Sequence, residues 1–240
     1  LSTADVRRTV IGIVNEVERK LGVNESVFLD DRRLTTMLLD FLNDVIDECN
    51  DYGNWPQMFR EILVTASSSV DSYEIAVSAQ VKNIYEIHWA NTAGDAQPGG
   101  QVAPLEVRTI EDMRRLQKTR GFGQPRQFAV VDVSGVNPRI RPYPIPGTNE
   151  NQKTFDVAYY KKNRLYTTTT ADSSATPAFP SRMLVQGTYA KALLEESGQE
   201  PTAHYQVAYQ EYIRMRSEAL NRFKADTGTD VFFQPTGSHF

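Results

Sequence analysis

The residues able to carry acid–base, nucleophilic or metal chemistry are few and scattered in this chain. There are three histidines, His88, His204 and His239, and one cysteine, Cys49, in 240 residues. No His-Glu-x-x-His sequence occurs, and neither His88 nor His204 has a carboxylate or thiol at metal-ligand spacing, so both read as structural. Cys49 falls on the apolar stripe of a helical pattern with no sequence neighbour to lower its pKa, which makes it a small core hydrophobe. The run Gly121-Phe122-Gly123-Gln124-Pro125 lacks the third glycine of a phosphate loop, and a strand pattern follows it where a helix amino terminus is required, so it reads as a turn. Asp30–Asp31 and Glu195–Glu196 are adjacent in sequence, so their side chains diverge and cannot divide acid and base roles. The one acidic set around a predicted hairpin is Glu61, Asp71 and Glu74, which edge charge explains as well as hydrolysis does. No catalytic, cofactor-binding or metal site is assigned, and no cofactor is expected.

The elements that would hold any site are clearer. Hydrophobic residues make up 40% and charged residues 23%, which excludes wholesale disorder and fibrous composition. The net charge of −4 argues against a surface built as a whole to neutralise nucleic-acid phosphates or an anionic bilayer. There is no membrane-span pattern and no amino-terminal signal pattern, so a reducing, aqueous compartment of assembly is expected. Val6, Val10, Ile13, Val14, Val17 and Leu21 repeat at helical spacing, with Ser2 or Thr3 as cap. A second helix runs from about Leu34 to Gly53 on the stripe Met37, Leu38, Phe41, Leu42, Val45, Ile46 and Cys49. Its other face gathers Asp40, Asp44, Asp47, Glu48 and Asp51, a like-charged set that calls for cations from its own lobe or a neighbouring subunit.

From Arg60 the period becomes two, with strands expected at Ile62–Val64, Tyr73–Val77, Ile84–Trp89, Phe128–Val133, Arg139–Tyr143 and Thr154–Lys161, and a short helix over Ile110–Lys118. Pro142, Pro144 and Pro146 suit an edge strand leaving the sheet. Asn91–Pro104, with Gly94, Gly99 and Gly100, predicts a long loop or hairpin arm, and the Thr167–Pro177 tract, with Thr168 and Thr169, a surface excursion. Helices return at Ser181–Gly198 and from His204 to about Ala225. The expected fold is α+β: a helical bundle lobe from both chain termini (1–58 and 180–226), an inserted antiparallel β lobe (59–179) and an extended tail (227–240). Tyr205, Tyr209 and Tyr212 supply the amphipathic surface enriched at interfaces, and core burial is the competing fate.

This layout resembles the head-to-tail adaptor (connector) proteins of tailed bacteriophages, including the adaptor or tail tubular proteins of short-tailed phages. The carriers are Leu38–Asp51 running to Trp55 and Pro56, Glu61–Thr65 followed by Ser72–Ile75, Gly123–Phe128, Arg139–Pro146, Asp156–Lys161, Met183–Gly187 with Ala190, and the Tyr- and Arg-rich helix His204–Phe223. Each is a packing pattern, and their order carries the likeness. The resemblance implies a non-enzymatic virion protein at the head–tail junction, assembled in the host bacterial cytoplasm. Its subunits form a homo-oligomeric ring, a dodecamer, between a portal protein and tail or nozzle proteins. Double-stranded DNA passes through the lumen, and no membrane is involved. It also implies a portal or subunit contact by the carboxyl-terminal Val231, Phe232 and Phe233, which could equally cover the chain's own helical lobe. The Gly94–Gly100 arm and Thr168–Thr169 are candidate intersubunit or nozzle-facing loops. Two other readings stay open: a cell-wall hydrolase using Glu61 and Glu74, and a glycan-binding module on Tyr85 and Trp89.

Overall fold

A computed structural model describes residues 7–75, 81–90, 104–119, 121–132 and 137–227, with side chains at the carboxyl end described through Arg222. The chain divides into two compact units, one spanning Met58–Lys162, the other formed by the chain up to Gln57 and from Asn163 onward.

The second of these is helical. Helix α1 (Val10–Lys20) begins later than its periodicity suggests, because Thr9 caps it: its hydroxyl accepts a hydrogen bond from the Gly12 amide at 3.3 Å. The start is also tied down by Arg8 N–H donating to Ser181 Oγ at 2.7 Å and Val10 N–H to the Ala175 carbonyl at 2.8 Å. Helix α2 spans Arg33–Tyr52, and its predicted stripe is the buried one, through Leu38, Leu42, Val45, Ile46 and Cys49. Between α1 and α2, Asp31 Oδ2 accepts the amides of Val27 and Phe28 at 2.6 and 2.8 Å, and the fully buried Glu18 carboxyl accepts the Ser26 amide and hydroxyl, both at 2.9 Å, and the Thr35 hydroxyl at 2.7 Å.

The chain returns to this unit along α2. Asn43 Nδ2 donates to the Tyr166 carbonyl at 2.8 Å while Tyr166 N–H donates to Asn43 Oδ1 at 2.9 Å. Two turns on, Asn50 Nδ2 donates to the Asn163 carbonyl at 3.0 Å and Asn163 N–H to Asn50 Oδ1 at 2.8 Å. Each amide side chain thus satisfies one donor and one acceptor of an extended segment, as a ladder partner would. The Thr-rich tract that follows is more than an excursion. It holds a short helix α4 (Thr170–Ser173), capped by Thr169, around a buried Asp172. Next comes α5 (Ser181–Glu196), which packs against α1, α2 and α6 (Ala203–Thr227). Trp55 closes the end of the core, its ring 5.1 Å from Phe179 and its indole N–H donating to the Cys49 carbonyl at 2.7 Å.

Burial pushes the Cys49 thiol up to about 12, against weaker opposing pulls from Tyr212 and Arg216. A protonated, buried thiol does not attack disulfides. Cys49, the single cysteine, is therefore expected to react with an aromatic disulfide reagent only as the protein unfolds. Stoichiometric labelling faster than unfolding in native buffer would refute this.

The other unit, Met58–Lys162, contains two sheets. One has strand order β1 (Phe59–Thr65), β7 (Thr154–Lys161), β3 (Val81–Ala90), all antiparallel, with Ile62, Val157 and Ile87 in register. The other runs β2 (Tyr73–Glu74), β6 (Arg139–Tyr143), β5 (Gln127–Asp132), β4 (Glu106–Val107). Their shared core includes Trp89, Phe155, Phe128, Ile140 and Ile75. Two expectations need correction. The β unit is not wholly antiparallel, since β4 and β5 pair in parallel, joined by the crossover helix α3 (Ile110–Gln117) that such pairing requires. The proline strand β6 is interior rather than an edge. It tolerates Pro142 because β2 pairs only with Arg139 and Ile140, leaving no ladder partner on that side for the missing N–H.

Candidate interaction surfaces

The chemistry-bearing residues do not converge. Glu61 lies exposed on β1 and Glu74 exposed on β2, in different sheets, with Glu74 accepting from Asn137 Nδ2 at 2.7 Å. Trp89 is 1% exposed and stacks edge-on to Phe155 at 4.8 Å, so it cannot offer a ring face to a glycan. That reading fails at this residue because Trp89 points to the face of β3 shared with Ile87, which the core takes. Tyr85 is exposed, at the edge of a cluster with Phe59 and Tyr160. His88 Nε2 lies 2.5 Å from Glu86 Oε1. Among the described residues no group of three His, Cys, Asp or Glu could hold a metal ion, and no helix is long and apolar enough to cross a membrane.

The tyrosines of α6 separate. Tyr212 is buried between α2 and α5 and is a core residue, because it sits on the same face as Ala208 and Leu220. Burial, with Cys49 and Glu48 nearby, pushes its phenol up and keeps it protonated, so it donates to Glu48 Oε2 at 3.1 Å. Tyr205 and Tyr209 stack at 5.6 Å and keep exposed surface. Beyond them the outer face of α6 forms a shallow groove of about 620 Å³ lined by Gln206, Val207, Gln210, Glu211 and Arg214. Thr168 and Thr169 are exposed, and Thr169 Oγ1 caps α4. Gly94, Gly99, Gly100, Val231, Phe232 and Phe233 lie outside the described residues.

The acidic face of α2 receives partial neutralisation. Lys191 of α5, which the sequence did not single out, reaches Glu48 at 2.7 Å and Asp44 at 3.8 Å. Arg216 reaches Glu48 at 3.8 Å while covering the Tyr52 ring at 4.0 Å. Arg214 bonds Glu211 and Glu218 on its own helix. Asp40 and Asp47 remain exposed, without a cation among the described residues.

Two features escaped the sequence. Val27 and Phe28 are 73% and 51% exposed, on a turn whose backbone Asp31 fixes from one side and whose base Glu18 holds from the other. The signal was an Asp three and four residues after two apolar residues between helices, placed for its carboxylate to accept back from their amides. The other is Asp172, whose carboxylate accepts the Thr167 amide and hydroxyl, each at 2.7 Å, and pairs with Arg164 at 2.6 Å.

The Thr167 amide, then its hydroxyl, hold the Asp172 carboxyl below the usual range. Its contribution to stability is thus complete above the ordinary value of 3.8 and is lost as pH falls through the lower folded value. Asp172→Asn is expected to lower the unfolding free energy at neutral pH by about 1–2 kcal/mol and to flatten the stability loss below that value. Unfolding curves collected between neutral and strongly acidic pH would check it, and an unchanged acid limb would refute it.

Comparison with known families gives a match to the SU10 adaptor protein model over residues 8–236, across both units. Comparison with curated proteins gives no match.

Proposed function

Because the chain belongs to the SU10 adaptor protein family, a family of phage adaptor proteins, we propose that it is a structural subunit of the head–tail junction. In this reading it assembles as a ring between the portal protein and the tail or nozzle proteins, around the channel through which DNA leaves the capsid. The observation that carries the reading is that one family's model spans both units, so the helical unit and the inserted β unit belong to one adaptor rather than to an adaptor with an added module. The exposed surfaces fit a contact role: apolar Val27 and Phe28 on a fixed turn, stacked Tyr205 and Tyr209, and charged helix stripes. A mildly acidic chain, net −4, suits a conduit, since phosphate neutralisation would make DNA adhere.

The test is capture of the cognate portal by purified full-length protein, with negative-stain images of the product and mass spectrometry of particles. Rings on the portal and the chain in particles are expected. Failure of portal capture together with absence from particles would overturn the reading.

A further inference from the structure

The charge of the chain is divided unevenly between its two units. Residues 58–162 carry thirteen Lys and Arg against eleven Asp and Glu, and the rest of the chain thirteen against nineteen. The acidic excess is concentrated on α2, while α3 separates its charges, with Glu111 and Asp112 in its first turn and Arg114, Arg115 and Lys118 at its end. On α3, Arg114, Arg115 and Lys118 occupy one exposed stripe, and none of them is ion-paired among the described residues; Glu111 stands at the amino-terminal end of the same stripe. The helix macrodipole explains why cations sit in this last turn, at about 0.3–1 kcal/mol each, but not why none of the three has an acidic partner. On α2, Asp40, Asp44 and Asp47 repeat at intervals of four and three, a stripe roughly 10 Å long at 1.5 Å per residue. It is exposed along its length, and among these three Lys191 touches only Asp44.

We propose that the cationic stripe of α3 is a contact surface for a second copy of this chain, seated against the acidic stripe of that copy's α2. The proposal rests on the ring reading above and names the contact within it. The charges are complementary, and each stripe carries repulsion that the other relieves. The surfaces are different patches of one chain, so the contact is heterologous, the kind that closes rings. Exposed apolar residues accompany both: Val107 and Phe122 flank α3 in sequence, and Leu165 is set beside α2 by the Asn43–Tyr166 hydrogen bonds. Exposed ion pairs contribute about 0–1 kcal/mol each, so this contact sets orientation and association rate, and the apolar neighbours supply adhesion. A DNA partner would satisfy α3 alone and leave the α2 stripe unrelieved.

The experiment is a charge swap in the full-length protein, read by analytical ultracentrifugation at low and high salt. Arg114→Glu/Arg115→Glu/Lys118→Glu and, separately, Asp40→Lys/Asp47→Lys should each weaken self-association about tenfold or more, with the far-UV circular dichroism of a folded chain because all five sites are exposed. Combined in one chain, the two sets should restore association to within about threefold of the parent. The proposal is overturned if the parent does not self-associate at low salt, if the α3 variant associates like the parent, or if two folded variants fail to rescue each other. Loss of duplex-DNA retention by the α3 variant, with self-association intact, also overturns it, in favour of nucleic acid. Particle mass spectrometry separates the two readings: parent chain present in particles but no rescue removes this contact alone, and its absence removes the adaptor reading.

Discussion

Gly187→Val is expected to destabilise the helical unit severely. Gly187 lies in the middle of α5, and a Cβ there would stand 2.8 Å from Val45 Cγ1 of α2 and 2.9 Å from Tyr212 Cε2 of α6. Neither neighbour can retreat: Val45 is wholly buried, and Tyr212 is held by its hydrogen bond to Glu48 and its contact with the Cys49 sulfur. Alanine would gain about 1 kcal/mol of helix propensity over glycine. It would lose about 1–3 kcal/mol to overpacking on two sides, so Gly187→Ala should be mildly destabilised. Valine adds two methyl groups in the same space and a branched side chain that helices disfavour, bringing the loss above about 3 kcal/mol, a large share of the roughly 5–15 kcal/mol that holds a typical domain. Chemical denaturation followed by far-UV circular dichroism measures it, and a Val variant with the parent's midpoint would show that the three helices do not meet this closely.

Glu18→Ala should be nearly as damaging, at about 3 kcal/mol, by the opposite route of removing acceptors rather than adding bulk. The carboxyl is fully buried and accepts from the Ser26 amide and from the Ser26 and Thr35 hydroxyls. Truncation removes the shared acceptor of three donors, at about 1–3 kcal/mol for each left dry; the Ser26 amide keeps Asn15 Oδ1 at 3.2 Å, the two hydroxyls keep each other at 2.7 Å, and a water entering the vacated space recovers part of the rest. Glu18→Gln keeps one acceptor oxygen, and the hydroxyls can rotate to accept from the new amide, so its effect should stay near 1 kcal/mol. Amide exchange at Ser26 is the direct readout. It should accelerate with Ala and little with Gln, and equal exchange in the parent and Ala proteins would contradict the arrangement.

What the sequence disclosed followed the range of the interaction that decides each feature. The buried stripe of α2 and the strands β1, β3, β5, β6 and β7 were legible because burial imposes a period of 3.6 or 2 on the chain itself. The start of α1 was misplaced because Ser2, Thr3 and Thr9 are equally good caps in sequence, and the tie to Ser181, far along the chain, favours Thr9. The interior position of β6 depends on β2 stopping after two residues, which no local pattern announces. Tyr205, Tyr209 and Tyr212 look alike in sequence, and only the packing of α6 against α5 assigns the last of them to the core. The acidic stripe of α2 was visible from spacing, but Lys191, on a helix about 140 residues later, was not singled out, because a partner so remote leaves no trace in periodicity.

The amide clamps at Asn43 and Asn50 join residues separated by 123 and 113 positions, and that distance governs the order in which the chain can fold as it is made. The apolar face of α2 waits for α5, about 130 residues downstream. At a synthesis rate of about 5–20 residues per second, that is a delay of roughly 7–26 s. Through that interval the α1–α2 hairpin is held by its own contacts, Glu18 with Ser26 and Thr35 among them, while the β unit, whose strands all lie within one continuous stretch, can close first. The helical unit is thus the last part of the subunit to mature, and the four aspartates lining α2 give the waiting hairpin a charged flank that discourages premature association between nascent chains.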